Sequence, residues 1–301
     1  MTTGAGETPL FGCGTALVTP FTSGGAVDER ALRALVDWQI DEGVHYLVPC
    51  GSTGEAVTLT PAEHRRVVEV VVDQARGRVP IVAGAGSNDT RRAVALSKEM
   101  RDAGATHLLH VSPMYNKPPQ RGMVAHFRAV AEASELPVIM YNVPGRTASN
   151  MAPETTLALA AEPNIVGIKE ASGDLGQITR IIRERPPGFA VISGDDAMTL
   201  AVMSAGGDGV ISVVSNVAPR PMAALAERCR SGDRAEAQRL HDRLHPWMQA
   251  AFVESNPIPV KAALALMGRI DNVLRLPLVP LAEIHQSTLR RSLVEAGALT
   301  A

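Results

Sequence analysis

Between residues 14 and 216 the chain repeats one pattern eight times: a short, β-rich apolar run followed by an amphipathic stretch. The runs lie at 14–21, 46–52, 80–86, 106–113, 137–144, 165–172, 189–196 and 209–216. Strands joined through helices return to the same end of a sheet, so they pair in parallel. Eight such units in about 220 residues fit a closed (β/α)8 barrel better than an open doubly wound sheet. A dinucleotide-binding sheet would also want GxGxxG after its first strand, and GTALVTPF has no such sequel. The intervening stretches, such as DERALRALVDWQIDEG and DTRRAVALSKEMRDAG, open on Asp and close on Gly, the punctuation of helices. After about residue 233 the strands stop, and RAEAQRLHDRL, PIPVKAALALMG and LAEIHQSTLRRSLVEAG read as helices. The expected organisation is a barrel over 1–232 that carries the active site, and a helical C-terminal region over 233–301.

Composition narrows the function classes. A net charge of −2 and 3% aromatic residues leave neither a basic footprint nor many rings on which bases could stack, which argues against nucleic acid. No apolar run approaches the ~20 residues that span a bilayer, and MTTGAGETPL lacks the features of a signal peptide, so the expected location is the cytoplasm. Cys13, Cys50 and Cys229 are widely spaced and read as reduced thiols. The eight histidines form no HExxH or similar cluster, so no metal is expected.

In a (β/α)8 barrel the chemistry gathers where strands end, at their carboxyl side. The second run ends in GSTGE with Ser52 and Thr53, the fourth leads to Tyr115, the fifth ends in Tyr141 and NVPGR with Arg146, and the sixth ends in Lys169. Each has an ordinary structural reading. Ser52 and Thr53 could cap a turn, Tyr141 could be a core phenol, Arg146 a surface residue in a Pro-Gly turn, and Asp195 and Asp196 caps of a helix after the seventh run. Lys169 could run its stem along apolar surface. Yet only Lys98, Lys117, Lys169 and Lys261 are lysines among 29 basic residues, so this chain builds its surface charge from arginine. A desolvated lysine amine has a lowered pKa and adds to carbonyls, forming an iminium that acts as an electron sink. A tyrosine can move the protons, Ser and Thr can relay them, a Gly-Ser-Thr-Gly turn can hold a carboxylate, and arginine offers a second carboxylate site. The set predicts a Schiff-base aldolase acting on a 2-keto acid and a second, acidic carbonyl substrate. Phosphate is disfavoured by the acidic pair in SGDD.

GSTGE at 51–55, SPMYNKPP at 112–119, YNVPGR at 141–146, GIKEASGDL at 167–175, SGDD at 193–196 and NPIPVKAAL at 256–264 resemble, in order, the pyruvate-dependent Schiff-base lyases typified by dihydrodipicolinate synthase and N-acetylneuraminate lyase. The resemblance implies that Lys169 forms the Schiff base with pyruvate and that Tyr141 gives and takes protons. It implies that Thr53 passes protons between Tyr141 and a Tyr115 reaching in from a neighbouring subunit. Ser52 and Thr53 would bind pyruvate, with Gly194 and the main chain of Ile211 nearby. Arg146 resembles the arginine with which the synthase branch holds the carboxylate of aspartate semialdehyde. That branch condenses pyruvate with L-aspartate 4-semialdehyde, on the route to diaminopimelate and lysine, with no cofactor beyond the covalent Schiff base. A homotetramer built as a dimer of dimers is implied as well. A lyase for N-acetylneuraminate or a 2-keto-3-deoxy sugar acid would share Lys169 and Tyr141, and a keto-acid-binding sensor barrel would need neither. Lysine-inhibited members resemble one another in an interface pocket. Here the aligned positions hold Ala56, Pro61, Arg92 and Met114, with only His64 and Asn88 retained, which implies weak or absent inhibition by lysine.

Overall fold

The computed structural model describes residues 10–300. The segment 1–9, which carries most of the stretch read as lacking a signal peptide, and Ala301 lie outside the described residues. Eight strands follow in chain order: β1 Gly12–Ala16, β2 Tyr46–Val48, β3 Val82–Gly84, β4 His107–Val111, β5 Val138–Asn142, β6 Ile165–Glu170, β7 Ala190–Ser193 and β8 Gly209–Ser212. All pair in parallel, in the order β2-β1-β8-β7-β6-β5-β4-β3. The two end strands meet at the seam through a parallel bridge between Leu47 and Ile81, with the Leu47 amide donating to the Pro80 carbonyl at 3.1 Å. The (β/α)8 barrel is therefore the observed fold.

The strands are shorter than the apolar runs suggest. The second run extends to residue 52, whereas β2 ends at Val48, because Pro49 has no amide to give the ladder and Cys50 turns the chain at φ 56°. Helix punctuation follows the residue types. Asp28 accepts from the Ala31 amide at the start of Glu29–Asp41, and Asp89 accepts from the Arg91 amide before Thr90–Asp102. Thr60 and Glu63 form a reciprocal capping box on Pro61–Ala75.

The barrel interior is filled rather than open. Tyr46, Val48, Val82, Leu109, Ile139, Tyr141, Ile192 and Ile211 pack there, and Gly14 leaves the room that the Tyr46 ring occupies, since a Cβ would sit 1.9 Å from the ring. The C-terminal helices Arg234–Ala250, Ile258–Leu266 and Glu283–Glu295 share one hydrophobic cluster with the outer face of the barrel. Trp247 is fully buried in it and its indole N–H donates to the Val214 carbonyl at 3.2 Å. A side chain of that size in a core contributes roughly 3–5 kcal/mol, so this region is fastened to the barrel.

Candidate active site

Alternation along β6 explains where its lysine goes. Ile168 and Glu170 face outward, Ile168 into the layer between sheet and helices, while Gly167 and Lys169 face the barrel interior. Lys169 pairs in register with Tyr141 of β5, and its ammonium nitrogen lies 4.3 Å from the centre of the Tyr141 ring. Both side chains are buried. Gly194, at the end of β7, makes this arrangement possible, because a Cβ there would come within 3.1 Å of the Lys169 stem.

Burial lowers the Lys169 amine from its ordinary value to about 8, helped by the Arg146 guanidinium and opposed by the Asp196 carboxylate. No carboxylate lies within ion-pair distance of Lys169 among the described residues. At pH 7 an amine with such a pKa is neutral in about one molecule in ten, a few hundredfold more than an ordinary lysine. Lys261, also fully buried, is different: it forms a 2.6 Å ion pair with Glu55. Of the two buried lysines, only Lys169 has an amine available to react. The Tyr141 hydroxyl is pushed up to about 12 by burial, so it is a phenol rather than a phenolate at neutral pH.

A cavity of about 270 Å³ joins these groups. It is lined by Ser52, Thr53, Tyr141, Arg146, Lys169 and Gly194, together with Phe252 and Asn256 from the C-terminal region. Ser52 and Thr53 lie in overlapping turns that use the amides of Gly54, Glu55 and Ala56, and not their own. Arg146 sits on the short helix Pro144–Thr147 and donates to the Asn256 carbonyl at 3.2 Å. The remaining guanidinium donors stay available for a carboxylate. Ile211 lies on β8 with its side chain in the barrel core, away from the cavity lining. Tyr115 is 87% exposed, adopts a left-handed φ of 72°, and does not line the cavity of its own chain.

The acidic pair after β7 divides its roles. Asp195 caps a 3-10 turn by accepting from the Ala197 amide, as the capping reading expects. Asp196 does not cap; it is buried and accepts from the Ser212 hydroxyl and the amides of Val213 and Val214. Burial raises its carboxyl to about 6. Two further residues escaped sequence reasoning. Asn256 donates to the Thr53 hydroxyl at 2.9 Å, across 203 positions in sequence. Glu170, on the outer face behind Lys169, receives Asn142 at 3.0 Å, the Ser172 amide at 2.7 Å and Gln177 at 3.1 Å. It thereby ties the ends of β5 and β6 together. The only available signal was its place beside Lys169 and the NPIPVKAAL motif around Asn256. Among the described residues no three His, Cys, Asp or Glu side chains gather to hold a metal. Nor is any helix long and apolar enough to cross a membrane.

A desolvated lysine beside a buried tyrosine at a barrel mouth suits carbonyl chemistry, and comparison with known proteins places the chain among the lyases. Residues 9–296 match the model of the dihydrodipicolinate synthetase family, and the chain belongs to that family. It is 49% identical over 287 residues to the 4-hydroxy-tetrahydrodipicolinate synthase of Maridesulfovibrio salexigens, a match covering 95% of this chain and 98% of the relative. A chloride-inhibited dihydrodipicolinate synthase from Acinetobacter baumannii, solved with pyruvate, superposes with a TM-score of 0.94 at 44% identity over 96% of this chain and 99% of that one. A monomeric dihydrodipicolinate synthase variant superposes equally well, with a TM-score of 0.94 at 44% identity, covering 96% of this chain and 97% of the variant.

Proposed function

We propose that the chain condenses pyruvate with L-aspartate 4-semialdehyde to give 4-hydroxy-tetrahydrodipicolinate, in the biosynthesis of diaminopimelate and lysine. The observation that carries this reading is Lys169: a buried amine without an ion-pair partner, in register with Tyr141, in a cavity that also holds Arg146. The neutral amine adds to the keto carbon of pyruvate, and loss of water leaves an iminium. Removal of a methyl proton gives the enamine, whose carbon attacks the aldehyde of the second substrate. The substrate's own amine then displaces Lys169 as the ring closes. No resident cofactor is needed, because the iminium is itself the electron sink. The enzyme would work in the cytoplasm.

Tyr141 is the proton donor and acceptor for these steps. Thr53 is placed to relay, since it accepts from Asn256 and keeps its own hydroxyl proton to donate. The pyruvate carboxylate rests on the turn of Ser52 and Thr53, near Gly194 and the Ile211 main chain. Tyr115 completes the relay from a neighbouring subunit of a tetramer built from dimers. Its high exposure supports this, as does a left-handed backbone that costs a non-glycine residue about 1–2 kcal/mol. The direct test is turnover with both substrates. Equimolar consumption of pyruvate and the semialdehyde is expected, whereas turnover only with an N-acetylated sugar aldehyde would assign the chain to the sugar-acid lyases.

Arg146 holds the semialdehyde carboxylate and not pyruvate. Arg146→Ala removes a charge-assisted contact worth about 1.5–3 kcal/mol, so KM for the semialdehyde rises roughly ten- to a hundredfold. Reductive trapping of pyruvate should survive the change. Equal losses on both substrates would instead give the Pro-Gly-Arg turn a structural role.

Feedback by L-lysine is expected to be weak or absent. Arg92 is engaged with Glu99 at 2.7 Å, the Asn88 side chain donates to the Met114 carbonyl at 3.2 Å, and His64 is held by the Gly84 carbonyl at 2.9 Å. An arginine and a methionine give a lysine side chain neither an acidic nor a hydroxyl partner. Titration of lysine into the turnover assay checks this, and inhibition below a millimolar would overturn it.

A further inference from the structure

We propose that the buried ion pair of Lys261 and Glu55 is a positioning device for the pyruvate-binding turn, through which the C-terminal helical region sets the shape of the active site. This rests on the reading of the Ser52–Thr53 turn as the pyruvate carboxylate site. Both side chains are completely shielded from solvent and meet at 2.6 Å. The Lys261 ammonium also donates to the Thr19 carbonyl at 2.9 Å and lies 4.2 Å from the centre of the Phe21 ring. Two routes lead from it to the turn. One is direct, through the Glu55 carboxylate, whose second oxygen accepts from the Arg275 amide at 3.1 Å. The other passes through Thr19, whose hydroxyl donates to the Gly54 carbonyl at 2.7 Å.

The backbone shows what this grip holds. Glu55 ends the turn at a left-handed φ of 53°, a conformation that a glycine would adopt without strain. A glutamate there supplies a carboxylate that glycine could not. Gly54 leaves no slack, because a Cβ would press within 3.1 Å of the Cys50 amide and the Leu17 carbonyl. Lys261 stands five residues after Asn256, which reaches Thr53, so one short segment holds both the side chain and the backbone of the turn. Stability alone gives a poor reason for such a pair. Desolvating two charges consumes most of their attraction, and an apolar replacement is often neutral or better.

The experiment compares the full-length wild type with the double variant Glu55→Gln, Lys261→Met and the single variant Glu55→Gln. It measures the pyruvate concentration that half-saturates borohydride trapping in the absence of the semialdehyde, together with kcat and the melting temperature. The expected result is a melting temperature near that of the wild type, a half-saturating concentration raised roughly tenfold in the double variant, and a kcat changed less than about threefold. The single variant leaves the Lys261 ammonium buried without its counter-charge, so it should melt below the double variant while also raising the half-saturating concentration. A wild-type half-saturation in the folded double variant would overturn the proposal. If the double variant fails to fold, Thr19→Val, which cuts only the hydroxyl contact to the Gly54 carbonyl, decides by the same reading, and failure of all of these variants to fold would assign the pair to stability alone. A wild type that traps no pyruvate would refute the functional reading instead.

Discussion

Lys169→Ala leaves a folded barrel with essentially no turnover, a loss on the order of 10⁴- to 10⁶-fold, as expected where a covalent nucleophile is removed. The size follows from the route. Without the amine no iminium forms, and the methyl group of pyruvate has no electron sink to make it acidic. The folding cost should be slight, because the variant relieves the desolvation of an unpaired amine. Steady-state assay with both substrates, alongside a thermal melt, separates the two effects. Residual turnover within a hundredfold of the wild type would move the chemistry to another residue.

Tyr141→Phe should lower kcat by about 10²- to 10⁴-fold, the range for loss of a positioned acid or base. The ring remains, so its packing among the barrel residues and the 4.3 Å approach of Lys169 to its face are kept. Pyruvate should still be trapped, more slowly, since iminium formation also moves protons. The check is kcat together with the trapping rate, and a fully active variant would remove Tyr141 from the mechanism.

The barrel was legible because its signal is repetitive. Each strand is an apolar run, each helix has its own stops, and residues at the strand ends need only be counted to be placed on one face. Lys169, Tyr141, Arg146, Ser52 and Thr53 were found this way, and the structure brings them to one cavity. Side-chain direction was only partly legible. Asp195 and Asp196 are neighbours in sequence, yet one caps a turn half-buried at the cavity wall and the other is buried under β8, a difference set by the local fold. Contacts across the chain left no periodic trace at all. Asn256 and Lys261 lie in a region read as a helical appendage, and nothing in the spacing of NPIPVKAAL says that it returns to the second strand's turn. The resemblance marked the motif without giving its residues a task; packing supplied it.

One lysine of four carries the covalent chemistry in this mechanism, and reductive trapping identifies which. The protein is treated with borohydride in the presence of pyruvate, digested, and the lysine-containing peptides are examined by mass spectrometry. A single reduced pyruvyl group is expected, on Lys169, and only when pyruvate is present. A group on Lys98, Lys117 or Lys261, or none at saturating pyruvate, would contradict it.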